Sequence, residues 1–445
     1  MRSSLRSVTA VSQPRNVGLI SGAHGINEFF SIVLPPIIPL LVTELDITYA
    51  QAGFLLTVFF AMYSIFQFPA GLIADRIGKK RLLVGGLVGM SVGILLASTA
   101  QSYEMLILSQ ILAGVSGSTY HPSGMSLISD IETSATEGRA MGIFGFGGMV
   151  GTAAAPVIVG GLAVLFDWRV ALAAAAASGL LGAIVFFRYF EDTTAGDDST
   201  ANRVQHDGGE SEASRSSASD SAPPSVRERL GRLRNGSVRG GLARVRETVG
   251  IPLTASILLL VATTILVSLQ TRAIMTFTTS YLFLYTGEST SLANLGFLAM
   301  LVAGSLSSLW AGGLADRFNR GRLGIVVTLT TGLLLGATLF VGPLSELVSQ
   351  WPLYAILLGW FFVLGIAMYA VVPIKNAIIS GVSEEEFSGS LFGVTQTGSA
   401  IGSTTGPALF GYLATEMSMA VAYPLIAIVS VLLALVFVAL SRTVA

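Results

Sequence analysis

"GLIADRIGKKR" at residues 71–81 follows a long apolar segment, and "GGLADRFNRGR" at residues 312–322 repeats its pattern. Each copy starts with glycine, places an Asp-Arg pair at the apolar edge and ends in a cluster of cations. The two aspartates, Asp75 and Asp316, are 241 residues apart (316 − 75). Two related halves therefore make up this chain.

The composition requires a membrane as the main solvent. Of 445 residues, 52% are hydrophobic and only 11% are charged, and the mean hydropathy is +0.73, whereas soluble domains carry about 25% charged residues. About six apolar runs of bilayer length precede residue 190 and about six follow residue 251. They do not alternate as β-barrel strands do. The prediction is an all-α integral membrane protein with twelve transmembrane helices in two pseudo-symmetric six-helix bundles.

Three regions follow from this pattern. Residues 1–190 form the first six-helix half and residues 251–445 the second. Residues 191–250 form a cytoplasmic linker that is Ser-rich and then Arg-rich, so its first part is predicted to be disordered. For the Arg-rich part, a helix lying on the anionic inner leaflet and a solvated tether remain alternatives. No cysteine is present, which excludes disulfides and thiolate metal sites.

The placement of cations predicts the orientation. Arg272 and Lys375 lie inside apolar runs, which leaves 23 of the 25 Lys and Arg residues. Of these only Arg169 falls in a loop on the other side of the membrane from the rest. By the positive-inside rule both termini are cytoplasmic. The first apolar run lacks a small-residue cleavage site, so it is a retained span, and we expect a multi-pass protein of the plasma membrane.

The repeat also appears inside the helices. Gly114 and Pro122 of the fourth span match Gly365 and Pro373 of the tenth, each offset by 251 residues (365 − 114; 373 − 122). The fifth and eleventh spans keep this offset, with Gly142, Gly147, Gly151 and Pro156 matching Gly393, Gly398, Gly402 and Pro407. Small residues allow membrane helices to approach closely, so the glycine rows indicate helix packing.

The paired loops resemble those of the major facilitator superfamily, and the likeness covers nearly the whole chain. In that family the acid caps the end of a facing helix of the same half, and the cations form ion pairs that latch the outward-open state. The resemblance therefore assigns gating roles to Gly71, Asp75, Arg76, Gly78, Lys79, Lys80, Asp316 and Arg317. A tight loop kept for topology alone is the alternative. Asn319 replaces Gly78 in the second copy, and we expect it to adopt the same left-handed turn.

A narrower resemblance is to the fosmidomycin-resistance branch of drug/proton antiporters. It rests on "HGINEFFSIVLPPIIPLL", "YSIFQFPAGLIADRIGKKR", "SGSTYHPSGMSLIS" and "TRAIMTFTTSYLFLY". The chain departs from the family patterns at four positions, one of which is Ala155 before Pro156, where the fifth-span antiporter motif has Gly-Pro. Ser123 replaces the acid that usually follows His-Pro, Glu28 replaces an aspartate, and Gln110 replaces an arginine of the superfamily.

Ionisable groups within a bilayer are costly and mark functional sites. The span interiors hold five, all in spans one, four, seven and ten: His24, Glu28, His121, Arg272 and Lys375. The superfamily resemblance places these four helices around a central cavity. We predict proton coupling at Glu28, His24 and His121, and substrate binding at Asn27, Tyr120, Arg272, Tyr369 and Lys375.

Each assignment has a structural alternative. A Glu28–Arg272 pair could be a clamp, and the two histidines could be satisfied by backbone or hydroxyl partners. Lys375 could snorkel to the interface. Tyr120 and Tyr369 hold equivalent positions in the repeat and could pack in the cavity wall.

With the histidines neutral, Arg272, Lys375 and Glu28 give the interior a net charge of +1. This charge favours anionic solutes over cations. The predicted function is proton-coupled efflux of small organic anions or amphipathic drugs by alternating access. An organic-acid uptake symporter and a non-transporting membrane sensor or scaffold are the alternatives. No enzyme motif is present, so we expect no cofactor other than the proton gradient. The expected partners are a small-molecule substrate and the lipid bilayer, without nucleic acid, and the expected state is a monomer.

Overall fold

The computed structural model describes residues 11–191, 254–382 and 388–443, which form twelve membrane-length helical segments and, within these ranges, no β-strand. The first six are α1 (Pro14–Glu44), α2 (Tyr49–Ile77), α3 (Lys79–Ser98), α4 (Tyr103–Gly117 and Tyr120–Ile131), α5 (Glu137–Leu165) and α6 (Trp168–Tyr189). The second six are α7 (Ala255–Phe283), α8 (Thr290–Arg317), α9 (Arg320–Leu347), α10 (Gln350–Val382), α11 (Ser388–Met417) and α12 (Met419–Thr443). Apart from Glu191, the predicted linker lies outside the described residues.

Ten of these segments are long and apolar enough to cross a membrane unaided. The other two, α4 and α11, have sequence features that explain the difference. In α4 the helix is interrupted between Gly117 and Tyr120, near Pro122, which has no N–H to donate to the carbonyl of Ser118, so neither piece has the length of a span. In α11 many positions are Gly, Ser or Thr, which lowers its hydropathy.

Both halves pair their helices in the same way. In the first half α1 packs on α5, α2 on α4 and α3 on α6, and in the second α7 packs on α11, α8 on α10 and α9 on α12. The halves meet through α2 with α11 and α5 with α8, which is one contact and its symmetry equivalent. We call the face where α1 begins and α12 ends the terminal face, and the opposite one the far face.

Glycines make this pairing close. A Cβ on Gly151 would overlap the backbone of Gly25, and a Cβ on Gly402 would overlap the backbone of Ile265. The two contacts correspond in the repeat. Gly402 follows Gly151 by 251 residues (402 − 151), and Ile265 follows Gly25 by 240 residues (265 − 25). A second equivalent pair joins Gly114 to Phe59 and Gly365 to Met300. Most glycines of the predicted rows therefore serve helix packing, whereas Gly142 and Gly393 have open space around their Cβ positions.

The two motif loops differ in conformation. Gly78, between α2 and α3, has φ of +91°, which favours glycine. The expected left-handed turn at Asn319 is wrong, because this residue has φ of −61°. Its side chain instead accepts a hydrogen bond from the Arg322 N–H at 3.0 Å and caps the start of α9. A capping side chain thus replaces a strained turn in the second copy.

A buried carboxylate fixes the start of α1. Glu132, which follows α4, accepts hydrogen bonds from the backbone N–H groups of Ser12 at 2.8 Å and Gln13 at 3.0 Å. Burial raises the pKa of Glu132, but hydrogen bonds from Thr136, Gln13 and Ser12 outweigh it and lower the pKa below its usual value. The ionised carboxylate therefore stabilises the N-terminus of α1.

We expect Glu132→Gln to lower the free energy of unfolding by about 1–3 kcal/mol at pH 7, because charge-assisted hydrogen bonds are lost. Since the folded pKa is depressed, the wild-type advantage is full above about pH 4.3 and is lost as the pH falls through the folded pKa. Thermal unfolding of both proteins in detergent at several pH values measures this. A stability gap that stays constant down to pH 3 would contradict the assignment.

The glycine contacts give a matched pair of variants on α5. Gly151→Ala should destabilise the protein by about 1–3 kcal/mol, because its methyl group must push α1 away. Gly142→Ala should leave stability unchanged or slightly raised, since nothing lies within 4 Å of its Cβ position. Unfolding in detergent compares the two. Equal effects would show that the α1–α5 contact tolerates a larger residue.

Candidate functional site

A cavity of about 290 Å³ lies between the two halves at the middle of the helices. Its wall in the first half is formed by His24, Glu28, His121, Gly145, Gly148, Met149 and Thr152. Leu301, Ser305 and Tyr369 of the second half complete the wall. The three predicted proton-coupling residues therefore face one space.

Glu28 is at the centre of this group. Its Oε1 atom lies 3.5 Å from Nε2 of His121 and 3.7 Å from Nε2 of His24. The Glu28 side chain is 21% exposed and that of His121 is 33% exposed, so both reach the cavity. The structure thus brings α1 and α4 together through one carboxylate and two imidazoles.

His24 is held by its surroundings. Its Nδ1 atom is 2.8 Å from the carbonyl oxygen of Phe144. Because a carbonyl only accepts, Nδ1 carries a hydrogen, and neutral His24 then presents a lone pair at Nε2. The ring stacks on the Phe144 ring, with centroids 3.9 Å apart. Gly148 leaves room for it, because a Cβ there would lie 2.6 Å from the imidazole Cε1.

Two predicted substrate-binding residues lie behind the cavity wall. Asn27 is fully buried, accepting a hydrogen bond from the Tyr63 hydroxyl at 3.1 Å and donating to the Gly117 carbonyl at 3.3 Å. Tyr120 is also buried, stacks on His24 and donates to the carbonyl of Ile20. Tyr120 thus supports the His24 ring, Asn27 joins α1 to α2 and α4, and neither side chain lines the cavity.

Arg272 is placed differently from the expected pair with Glu28. Its guanidinium lies over the Phe60 ring, 4.2 Å from the centroid, and within the described chain it has no ion pair. Phe60 belongs to the opposite half, so this cation–π contact joins the halves. Lys375 of α10 is half-buried and likewise has no carboxylate partner among the described residues. Tyr369 does line the cavity.

Sequence reasoning missed two residues that shape the site. Phe60 gives no signal, since one of many aromatic residues in apolar spans cannot be matched to a distant arginine. Phe144 acts through its backbone carbonyl, which no side-chain pattern reveals. Gly148 lies in α5, whose glycines were noted in the sequence. That it makes room for the His24 ring follows only from the packing of α1 on α5.

On the far face, direct contacts join the halves. The Thr57 hydroxyl donates to the Thr404 carbonyl at 2.7 Å, and the Ala50 N–H donates to the Thr415 hydroxyl at 2.9 Å. The Asn294 amide donates to the Pro36 carbonyl at 3.1 Å. These contacts pack α2 against α11 and α8 against α1, which closes the far face over the cavity.

The predicted gating residues lie at the terminal face. Lys79 pairs with Asp130 at 2.5 Å, and Lys80 donates to the Phe190 carbonyl at 2.7 Å. Asp75 and Arg76 are exposed and have no hydrogen bond or ion pair within the described part of the chain. Asp316 lies 3.9 Å from Arg320. Gly71 has open space around its Cβ position, and Arg317 is exposed.

The sequence matches the Major Facilitator Superfamily over residues 20–351 and 260–444. The chain belongs to this family. It is 27% identical over 387 residues to the multidrug resistance protein MdtG of Citrobacter koseri, covering 85% of this chain and 82% of that protein. The inner membrane transport protein YnfM of Escherichia coli K12 is 28% identical over 158 residues, which is 36% of this chain and 38% of that protein.

Among solved structures, a bacterial homologue of the human lysosomal transporter Spinster, in an inward-facing and occupied conformation, is similar. Its TM-score is 0.71 at 16% identity, with 96% of each chain covered. The peptide transporter POT in complex with sulfate has a TM-score of 0.65 at 14% identity, covering 97% of this chain and 95% of that one. These likenesses confirm the predicted fold.

The family assignment makes this chain a multi-pass transporter of the plasma membrane and not an enzyme. The alternative of a non-transporting sensor or scaffold therefore loses its support. The narrower placement in the fosmidomycin-resistance branch stays a prediction.

Proposed function

We propose that this transporter exports small organic anions or amphipathic compounds in exchange for protons, working as a monomer with both termini in the cytoplasm. The name of the MdtG relative, a multidrug resistance protein, supports efflux. The observation that carries the proposal is the Glu28 carboxylate, which lies beside two imidazoles in the wall of a cavity formed by both halves.

The geometry of this group supports an exchangeable proton. With Nδ1 of His24 donating to Phe144, the facing atoms of His24 and Glu28 are a lone pair and a carboxylate oxygen. These repel unless one of them carries a proton. The proton is then exchanged with the side of the membrane to which the cavity is open.

The charges of the second half support an anionic substrate. Arg272 and Lys375 are cations without carboxylate partners among the described residues, and burying them is costly unless a counter-charge arrives. The Arg272 guanidinium, held on Phe60, keeps its hydrogen-bond donors for a carboxylate or phosphonate. The apolar wall from Met149 and Leu301 fits the non-polar part of an amphipathic compound.

We expect Glu28→Gln to abolish proton movement driven by a gradient of fosmidomycin, a phosphonate anion, because glutamine cannot carry the proton. Reconstituted vesicles with an internal pH dye measure the flux. Glu104→Gln is the matched control, since this carboxyl is fully exposed at the far face and should leave the flux unchanged. Wild-type proton movement in Glu28→Gln would remove Glu28 from the mechanism.

Arg272→Ala should reduce fosmidomycin transport about 10–100-fold, which corresponds to the loss of a charge-assisted hydrogen-bond pair. Transport of chloramphenicol, which is neutral, should fall much less. Arg272→Lys should restore only part of it, because an ammonium cannot form the bidentate fork. Arg188→Ala, at the exposed end of α6, is the control cation. Wild-type preference for ethidium, a lipophilic cation, over fosmidomycin would contradict an anionic substrate.

Alternating access requires the far face to open. Since the chain has no cysteine, Ala50→Cys with Thr415→Cys adds a single pair, and its oxidation should stop transport until the bond is reduced. Ser12→Cys with Thr136→Cys is the control, because those hydroxyls are 3.1 Å apart within one half. Unchanged transport in a fully cross-linked 50–415 protein would show that this contact does not open.

A further inference from the structure

We propose that His24, Glu28 and His121 form a binding site for one divalent transition-metal ion of the Zn²⁺ and Co²⁺ class. One ligand atom from each residue lies within 4.8 Å of the others. The two distances from Glu28 Oε1 are 3.5 and 3.7 Å. With bonds of about 2.1 Å, two ligands of a tetrahedral ion are about 3.4 Å apart, so these atoms need only small movements to share an ion.

His24 is already arranged as a metal ligand. Its Nδ1–H is fixed on the Phe144 carbonyl, which is the outer-shell contact that orients ligating histidines. Its Nε2 atom is buried, faces Glu28 and has no hydrogen-bond partner within the described part of the chain. A buried lone pair without a donor is unfavourable, and a cation would satisfy it.

The donor set selects the class of ion. Two imidazole nitrogens and one carboxylate oxygen suit Zn²⁺, Co²⁺ and Ni²⁺, whereas Mg²⁺ and Ca²⁺ prefer oxygen ligands. The three protein ligands leave at least one coordination position open. Because Glu28 and His121 are partly exposed in the cavity, water or an anionic solute can occupy that position.

This site does not depend on proton coupling, although metal and proton would compete for the same atoms. Metal binding can be measured without any transport assay. A protein that binds no metal but moves protons would overturn only this inference, and one that binds metal but moves no protons would overturn only the proposed function.

The test uses full-length protein in detergent, purified without a polyhistidine tag. The probes are Co²⁺, followed by its visible absorption, and Zn²⁺ as competitor, with Mg²⁺ as the control ion. All proteins carry His206→Ala, which removes the third histidine of the chain, a residue outside the described ranges. We expect one equivalent of Co²⁺ with the intense bands of a low-coordinate site, displaced by Zn²⁺ and not by Mg²⁺.

His24→Asn, His121→Gln and Glu28→Gln should each weaken Co²⁺ binding by more than about tenfold, with size-exclusion profiles that show intact folding. If a variant does not fold, zinc-edge X-ray absorption of the loaded His206→Ala protein decides the question without it. Scattering from two imidazoles is expected. Oxygen ligands alone, or a Co²⁺ signal that survives His24→Asn combined with His121→Gln, would overturn the site.

Discussion

The cost of an ionised group in the hydrocarbon layer organises this protein. Such a group is retained most readily with a partner or beside a cavity, and Glu28 and Arg272 follow this rule. Glu28 has two imidazoles within 3.7 Å and an opening to the cavity. Arg272 lies over an aromatic ring. Because so few helices carry these groups, the remaining helices are free to be apolar toward lipid and toward one another.

Close helix packing makes this arrangement possible. Gly151 against Gly25 brings α5 onto α1, and the same approach leaves the space at Gly148 that the His24 ring fills. The Phe144 carbonyl then comes within hydrogen-bond distance of that ring. One row of small residues therefore sets both the packing of two helices and the direction in which the buried histidine points.

The fold was largely predictable from the sequence because its signals are local and repeated. Apolar runs set the helices, and a constant offset between glycines revealed the two halves. Helix spacing also placed His24 and Glu28 on one face. It could not tell which neighbouring helix that face meets. A pair of Glu28 with Arg272 was one alternative, whereas the structure places His121 beside the carboxylate.

The remaining differences have the same origin. Asn27 and Tyr120 were expected at the substrate because they are polar and near the ionisable residues. In the structure, Asn27 accepts a hydrogen bond from the Tyr63 hydroxyl, and Tyr120 donates one to the Ile20 carbonyl. Both bonds lie away from the cavity. Asn319 was expected to copy Gly78 in conformation, but its side chain offers a cap that glycine lacks. Partners contributed by backbone atoms or by distant helices leave no trace in local sequence spacing.

The cavity has one further property, which concerns how the charged residues are divided between the two halves. Among the described residues, the carboxylate and the imidazoles that line the cavity all belong to the first half: His24, Glu28 and His121. The permanent cation Arg272 and the lysine Lys375 belong to the second. The two related halves thus contribute different kinds of charge. Either half alone, even as a symmetric pair, would lack one of the two kinds of charge, so the charge pattern of the site requires both halves in one chain.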